Sequence, residues 1–304
     1  DLQDLVGVPI AGQYIVTLRS SVVARTFAAE QEAGGAQVLS VFSNALNGFV
    51  AKLSDDELLR LQKDADVVAI EQDTLVVLQG DQINPPWGLD RIDQRDVLRD
   101  SRYSYNETGA GVSAYIIDTG ILPTHSDFGG RVGSGFTAIS DSYGSGDCHG
   151  HGSHVAGTVG GSTYGVAKAV SLIPVRVLSC AGSGATSGVI RGIDWVIAHH
   201  ESGVPAVANM SLGGGVSASL NAAVTRGIDD GVVFVVAAGN NNRLACSYSP
   251  ASTPNAITVG ATGSNDARAS FSNYGSCVDV FAPGVSILSV GITSSSSART
   301  MSGT

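Results

Sequence analysis

Ala114-Tyr115-Ile116-Ile117-Asp118-Thr119-Gly120 is an apolar run that stops abruptly at a carboxylate, a hydroxyl and a glycine. It reads as a buried β-strand with a turn leaving its carboxyl end. Ala206-Val207-Ala208-Asn209-Met210-Ser211-Leu212-Gly213, Val232 to Gly239-Asn240 and Ala256-Ile257-Thr258-Val259-Gly260 end in the same manner, and Ser171 to Val177 is a further strand candidate. Helical stretches at 152–160, 187–200 and 218–229 lie between them. Strands alternating with helices predict an α/β domain, a mostly parallel sheet flanked by helices. In such sheets chemistry gathers beyond the carboxyl ends of the strands. Asp118 and Asn240 both fall there.

Outward from this block, the chain has 304 residues, 43% hydrophobic and 14% charged, which supplies a core and excludes a disordered acidic chain. Glycine, at 39 residues, is in excess but has no triplet period, so collagen is excluded. A net charge of −10 argues against a nucleic-acid partner. The most apolar run, Gly231 to Ala238, is far short of the ~20 residues of a spanning helix, so no membrane partner is expected. The sequence starts at Asp1 without the basic and apolar regions of a signal peptide, so a leader is expected to be absent or to precede Asp1.

Composition divides the chain. Residues 1–81 carry 12 acidic and 5 basic side chains, 6 of the glycines and none of the cysteines; residues 82–304 carry 15 acidic and 12 basic. Two domains, 1–81 and 82–304, are expected, with polar residues and Pro85-Pro86 as linker chemistry. In the first, Tyr14–Leu18 reads as a strand, 21–31 as a helix and 37–53 as a hairpin. Ser54 with Glu57 reads as a capping box opening a second helix. Val67–Ile70 and Leu75–Leu78 read as closing strands. The order matches the split βαβ, ferredoxin-like α+β plan.

Cys148-His149-Gly150-His151-Gly152-Ser153-His154 concentrates three of the six histidines. Cys and His are zinc-ligand types. One histidine at the start of a Gly-rich helix, oriented by a distant carboxylate, is also the pattern of a general base. A helix entry that is merely His-rich is the third reading. The Asn240 amide at a strand end suits stabilisation of an oxyanion, although Asn is also a common turn residue. Gly182-Ser183-Gly184 and Ser211-Leu212-Gly213-Gly214-Gly215 can either leave backbone groups free to pair with an extended peptide or form plain flexible loops. Asp90, Asp93, Asp96 and Asp100 form an acidic cluster in a stretch read as loop; it is either a cation site or a solvated face.

Taken together and in order, Tyr115-Ile-Ile-Asp118-Thr-Gly120, Gly150-His151-Gly-Ser-His154-Val-Ala-Gly-Thr158, Ser211-Leu-Gly-Gly-Gly215 and Ala237-Ala-Gly239-Asn240 resemble the subtilisin-like serine proteases. Trp87-Gly-Leu-Asp-Arg-Ile-Asp-Gln94, Val207 to Gly215 and Phe271-Ser-Asn-Tyr-Gly275 are similar to the branch that includes proteinase K and aqualysin. The resemblance covers nearly all of residues 85–304. Residues 11–78, including Gly48-Phe-Val-Ala-Lys-Leu-Ser54, resemble the inhibitor-type propeptide of the same proteases.

The resemblance implies a Ser-His-Asp mechanism with His151 as general base, Asp118 orienting it and Asn240 donating to the oxyanion; His154 is then structural and His149 has no catalytic role. Ser153 stands where the family usually has Thr. The chain ends Met301-Ser302-Gly303-Thr304, and by resemblance the nucleophilic serine is the residue that follows Thr304. Substrate would lie along Gly182, Ser183, Gly184, Ser211, Leu212, Gly213 and Gly214, with broad cleavage after apolar or aromatic residues.

The four cysteines permit three pairings; the resemblance implies Cys148–Cys180 and Cys246–Cys277, an oxidising, extracellular compartment and little room for zinc at Cys148. It also implies structural calcium at Asp90, Asp93, Gln94 and Asp100, and at the carbonyls of Pro254 and Ala256 with the carboxylate of Asp279. The expected partners are peptide and protein substrates and the chain's own propeptide, whose tail Leu75–Gln79 would lie in the cleft and be cut between Leu78 and Ile83, with Gln79 or Gly80 on the amino side. The enzyme is expected to be a secreted monomer. The competing readings are an inactive propeptide–protease complex or fragment, and a metal-binding protein built on the His cluster.

Overall fold

The computed structural model describes residues 9–74 and 80–304. The chain divides into two compact units that meet between Gly80 and Asp81. The composition shift put the division one residue later. The Asp81 carboxylate accepts hydrogen bonds from Ser104 Oγ (2.6 Å) and Arg102 Nη1 (3.1 Å), which ties this residue to the second unit.

The first unit runs β1 (Pro9–Leu18), α1 (Ala24–Ala33), β2 (Gln37–Phe42), β3 (Gly48–Lys52), α2 (Asp55–Leu61) and β4 (Val67–Thr74). Its antiparallel sheet has the order β2-β3-β1-β4. Val16, Phe27, Phe49, Ala51 and Leu61 fill the space between sheet and helices. At α2 the capping box forms: Ser54 Oγ accepts from the Glu57 N–H, and the Glu57 carboxylate accepts from the Ser54 N–H at 2.7 Å. The strand expected at Val67–Ile70 is present and longer than its apolar residues indicate. β4 continues through Glu71-Gln72-Asp73, because an edge strand with a solvated face tolerates polar residues. Leu75–Gln79, including the expected strand and cut site, lie outside the described residues.

β5 (Gly80–Ile83) begins on the last residue of the first unit, and the second unit then contains α3 (Trp87–Ile92), β6 (Arg102–Tyr105), β7 (Ser113–Asp118), β8 (Phe136–Thr137), α4 (His151–Gly160), β9 (Ser171–Arg176), α5 (Thr186–His199), β10 (Ala206–Met210), β11 (Gly214–Gly215), α6 (Ala218–Asp229), β12 (Val233–Ala237), β13 (Tyr248–Ser249), β14 (Ile257–Thr262), β15 (Val280–Pro283), β16 (Ile287–Val290) and β17 (Ala298–Met301). Among the described residues seven strands form one sheet in the order β15-β14-β12-β10-β7-β9-β8, every neighbouring pair parallel. β8 and β15 are edge strands of two and four residues, too short to carry a readable pattern. Side chains alternate along β7. Tyr115 and Ile117 join Ile193, Val196, Met210, Val224 and Phe234 in a core shared with α5 and α6, while Ala114 and Ile116 join Phe128, Ala156, Leu172 and Val290 in a core shared with α4.

The strand order reverses at β7: β9 and β8 add on one side, β10, β12, β14 and β15 on the other. Loops leaving the carboxyl ends on either side of such a reversal diverge and open a crevice. Asp118 ends β7, Ser211 follows β10 and Asn240 follows β12.

Candidate active site

Asp118 is fully buried, and a buried carboxylate must be hydrogen-bonded to stay charged. It accepts from the Thr119 N–H at 2.7 Å and from His151 Nδ1 at 2.8 and 2.9 Å. His151 opens α4 after Gly150, whose φ of 97° turns the loop into the helix. A Cβ on Gly152 would lie 2.2 Å from the Gly120 carbonyl oxygen, so only glycine lets the first turn of α4 approach the end of β7 this closely. Burial alone would lower the His151 pKa. The hydrogen bond and charge of Asp118, with the charge of Asp147, outweigh it, and the net displacement is upward. With Nδ1 committed to Asp118, an imidazole that is neutral has Nε2 free to accept a proton.

One helical turn on, His154 Nε2 donates to the carbonyls of Ile287 (3.0 Å) and Arg299 (3.1 Å), which fastens the β16–β17 hairpin to α4; burial lowers its pKa. Cys148 is bonded to Cys180 and Cys246 to Cys277. Cys148 is therefore no thiolate, and among the described residues no three His, Cys, Asp or Glu side chains converge on a metal position. The zinc reading of the cluster falls on this chemistry.

On the other side of the crevice, Asn240 Oδ1 accepts from both the N–H and the hydroxyl of Thr304, each at 3.0 Å, and Thr304 Oγ1 accepts from the Gly239 N–H at 3.1 Å. With the carbonyl end of the amide held, the Nδ2 donors are what Asn240 has left to offer. Behind this turn lies fully buried Asn273. Its Oδ1 accepts from the Asn241 and Arg243 N–H groups, its Nδ2 donates to the Ala238 carbonyl at 2.8 Å, and its N–H donates to the Gly239 carbonyl.

Two of the cavities in the crevice share the wall Ser211–Gly215. One, of about 460 Å³, is lined by His151, Thr119, Leu178, Gly182, Ser183, Gly184 and Leu220; the other, of about 350 Å³, by Ala237–Asn241, Tyr248, Ala251 and Thr304. Gly182, Ser183, Gly184, Gly213, Gly214 and Gly215 are exposed. Gly214 and Gly215 already pair with Ser249 and Tyr248 along one edge, and the Gly182 N–H and Ser183 carbonyl close a turn on Ser179.

Calcium takes oxygen ligands. Of the first expected set, Asp90 lies on α3 rather than in a loop, and it converges with Gln94 and Asp100. Gln94 Nε2 stands 2.7 Å from Asp100 Oδ1 and 3.4 Å from Asp90 Oδ1; turning the amide over would present Oε1 instead. Asp93 is directed to the Ser104 N–H at 2.7 Å and does not join them through that oxygen. In the second set, Asn255 (φ 67°) turns the chain between Pro254 and Ala256, and Asp279 is tied to β14 through the Thr258 N–H at 2.8 Å. Both donor sets are of the kind calcium accepts.

The sequence reading missed Asp147, Thr119 Oγ, Asn273 and Thr304 as parts of the site. Asp147 had a local signal, a carboxylate three residues before the N-cap glycine of a helix. Asn273 had none, since it acts on a turn about thirty residues earlier.

Residues 109–304 match the model of the Subtilase family, and residues 13–79 that of the Peptidase inhibitor I9 family. The chain is 57% identical over 270 residues to an extracellular serine proteinase of Thermus sp. (strain Rt41A), covering 89% of this chain and 65% of that protein. It is 55% identical over 259 residues to alkaline serine exoprotease A of Vibrio alginolyticus, covering 83% and 48%. It therefore spans between about half and two thirds of these relatives' length. The crystal structure of a cold adapted subtilisin-like serine proteinase superposes with a TM-score of 0.70 at 55% identity, over 72% of this chain and 79% of that one.

Proposed function

Because this chain belongs to the subtilase family and carries an inhibitor I9 segment before its protease fold, we propose that it is the precursor of a secreted serine endopeptidase. The observation that carries this reading is the His151–Asp118 hydrogen bond facing, across one crevice, an Asn240 amide whose oxygen is already engaged. His151 takes the proton of a serine hydroxyl and returns it to the leaving amine, Asp118 holds its tautomer and stabilises the imidazolium, and the Asn240 amide donates to the tetrahedral oxyanion. The nucleophile is the residue that follows Thr304. Thr304 holds Asn240 and precedes the nucleophile, which links the two groups that act on one carbonyl.

Substrate is an extended peptide lying between Gly182-Ser183-Gly184 and Ser211-Leu212-Gly213-Gly214. The second cavity, walled by Gly and Ala residues around Tyr248, suits an apolar or aromatic side chain, and cleavage is broad with that preference. Calcium is structural: it would be held by Pro254, Ala256 and Asp279, and by Asp90, Gln94 and Asp100 with Asp93 nearby, where it would cross-link loops. Residues 1 to about 80 act as folding aid and inhibitor and are released by a cut near Gln79 or Gly80. Secretion is supported by two disulfides and by the extracellular Thermus relative.

The full-length protein is expected to hydrolyse an unstructured protein such as casein and apolar–aromatic peptide amides, with activity insensitive to zinc-selective chelation and abolished by His151→Ala. Hydrolysis that survives His151→Ala would overturn the reading.

A further inference from the structure

The loop that enters α4 carries a second buried carboxylate, to which the proposed reaction gives no part. Asp147 is 8% exposed, and its two oxygens accept five hydrogen bonds. Oδ1 accepts from Thr119 Oγ1 and from the N–H groups of His149 and Gly150, all at 2.9 Å; Oδ2 accepts from the Ser153 N–H at 2.9 Å and Ser153 Oγ at 2.7 Å. These donors lie on both sides of His151 in the chain, so one rigid acceptor spans that residue. Thr119 Oγ1 also accepts from the Gly152 N–H at 2.8 Å, and the Thr119 N–H donates to Asp118 Oδ1. The N-cap Gly150 has no side chain to offer, and Asp147 takes up first-turn amides where a helix favours negative charge.

We propose that Asp147 is a positioning residue for the His151–Asp118 couple: through Thr119 and Ser153 it locks the backbone on both sides of His151 against the carboxyl end of β7, and its negative charge stabilises the imidazolium. The proposal rests on the reading of His151 as general base. Every charged neighbour enters the balance. Asp118 at the end of β7 and Asp147 in the entry loop favour the protonated ring. The other ionisable side chains nearby, His149 with its ring centroid 6.4 Å away, His154 one turn along α4 and Arg299 of β17 beside Gly150, carry no negative charge.

The test uses the full-length enzyme and its pH–rate profile. Asp147→Asn removes the charge and turns an amide N–H toward donors. It is expected to lower kcat about 10- to 100-fold with KM changed much less, since misplacing a reacting group by about an ångström has that cost. The acid limb of kcat/KM moves to lower pH, because one of the charges that raised the His151 pKa is gone. Ser153→Ala, which keeps the charge, lowers kcat several-fold, and Ser153→Thr, which keeps the hydroxyl, restores it. An acid limb that stays in place in Asp147→Asn overturns the proposal. Should that variant fail to fold, equal kcat for Ser153→Ala and the parent overturns it instead. Parental activity in His151→Ala defeats the general-base reading, so the two failures are told apart.

Discussion

The two walls of the crevice are built from different chemistry. Around His151 the supporting groups are buried carboxylates, Asp118 and Asp147, both held by hydrogen-bond donors. Around Asn240 they are neutral, the Thr304 hydroxyl and N–H and the Asn273 amide. A proton acceptor that becomes cationic is stabilised by negative charge. A donor facing a developing oxyanion is weakened by it, most of all in a low-dielectric site. The molecule keeps its carboxylates on the side where positive charge forms.

The largest effect should come from breaking the charged wall. His151→Ala is expected to reduce kcat of the full-length enzyme about a millionfold, measured on a chromogenic peptide amide. On the neutral wall, Asn240→Ala should cost about 100- to 1,000-fold in kcat with KM little changed. Asn240→Asp sharpens the comparison, because it places a carboxylate where the oxyanion forms. It should be slower still than Asn240→Ala at neutral pH, and equal rates for the two would remove the electrostatic half of the argument.

The pH profile tests the charged wall without mutation. The His151 pKa is raised above the ordinary histidine value, chiefly by Asp118 acting against burial. The neutral ring is the active form, so kcat/KM should fall as pH drops through a value above about 6.5. The stability contribution has the opposite sense. The His151–Asp118 ion pair stabilises the fold at low pH, and this contribution fades as pH rises through the raised pKa.

The smallest effect on turnover is expected from the disulfide on the neutral side, Cys246–Cys277, which closes a 31-residue separation. Replacing both cysteines by Ser should lower stability by about 2–4 kcal/mol in denaturant unfolding, with kcat nearly unchanged at room temperature. A large loss of kcat at full stability would mean that this loop takes part in positioning Asn240.

The sheet was legible because its central strands are continuous apolar runs that end in Asp, Ser or Asn, a pattern that only two-sided burial explains. His151, Asp118 and Asn240 were legible because they sit at those ends or in a dense His cluster. The edge strands β8 and β15 were not, since two or four residues carry no period. Nor was the support for the site. Asn273 reaches back to Asn241 and to the Ala238 carbonyl, pairs that exist only after the sheet has formed. The expectation of Asp93 as a calcium ligand comes from the family resemblance; in the fold one of its carboxylate oxygens accepts from the Ser104 N–H of β6, a contact that spacing does not show.

The central claim is that the His151–Asp118 couple activates the residue that follows Thr304. Covalent labelling of the full-length protein with a fluorophosphonate, followed by peptide mapping, tests it most directly. The account predicts a single labelled serine immediately after Met301-Ser302-Gly303-Thr304, with labelling lost in His151→Ala. A label on any other residue, or labelling at the parental rate without His151, would contradict it.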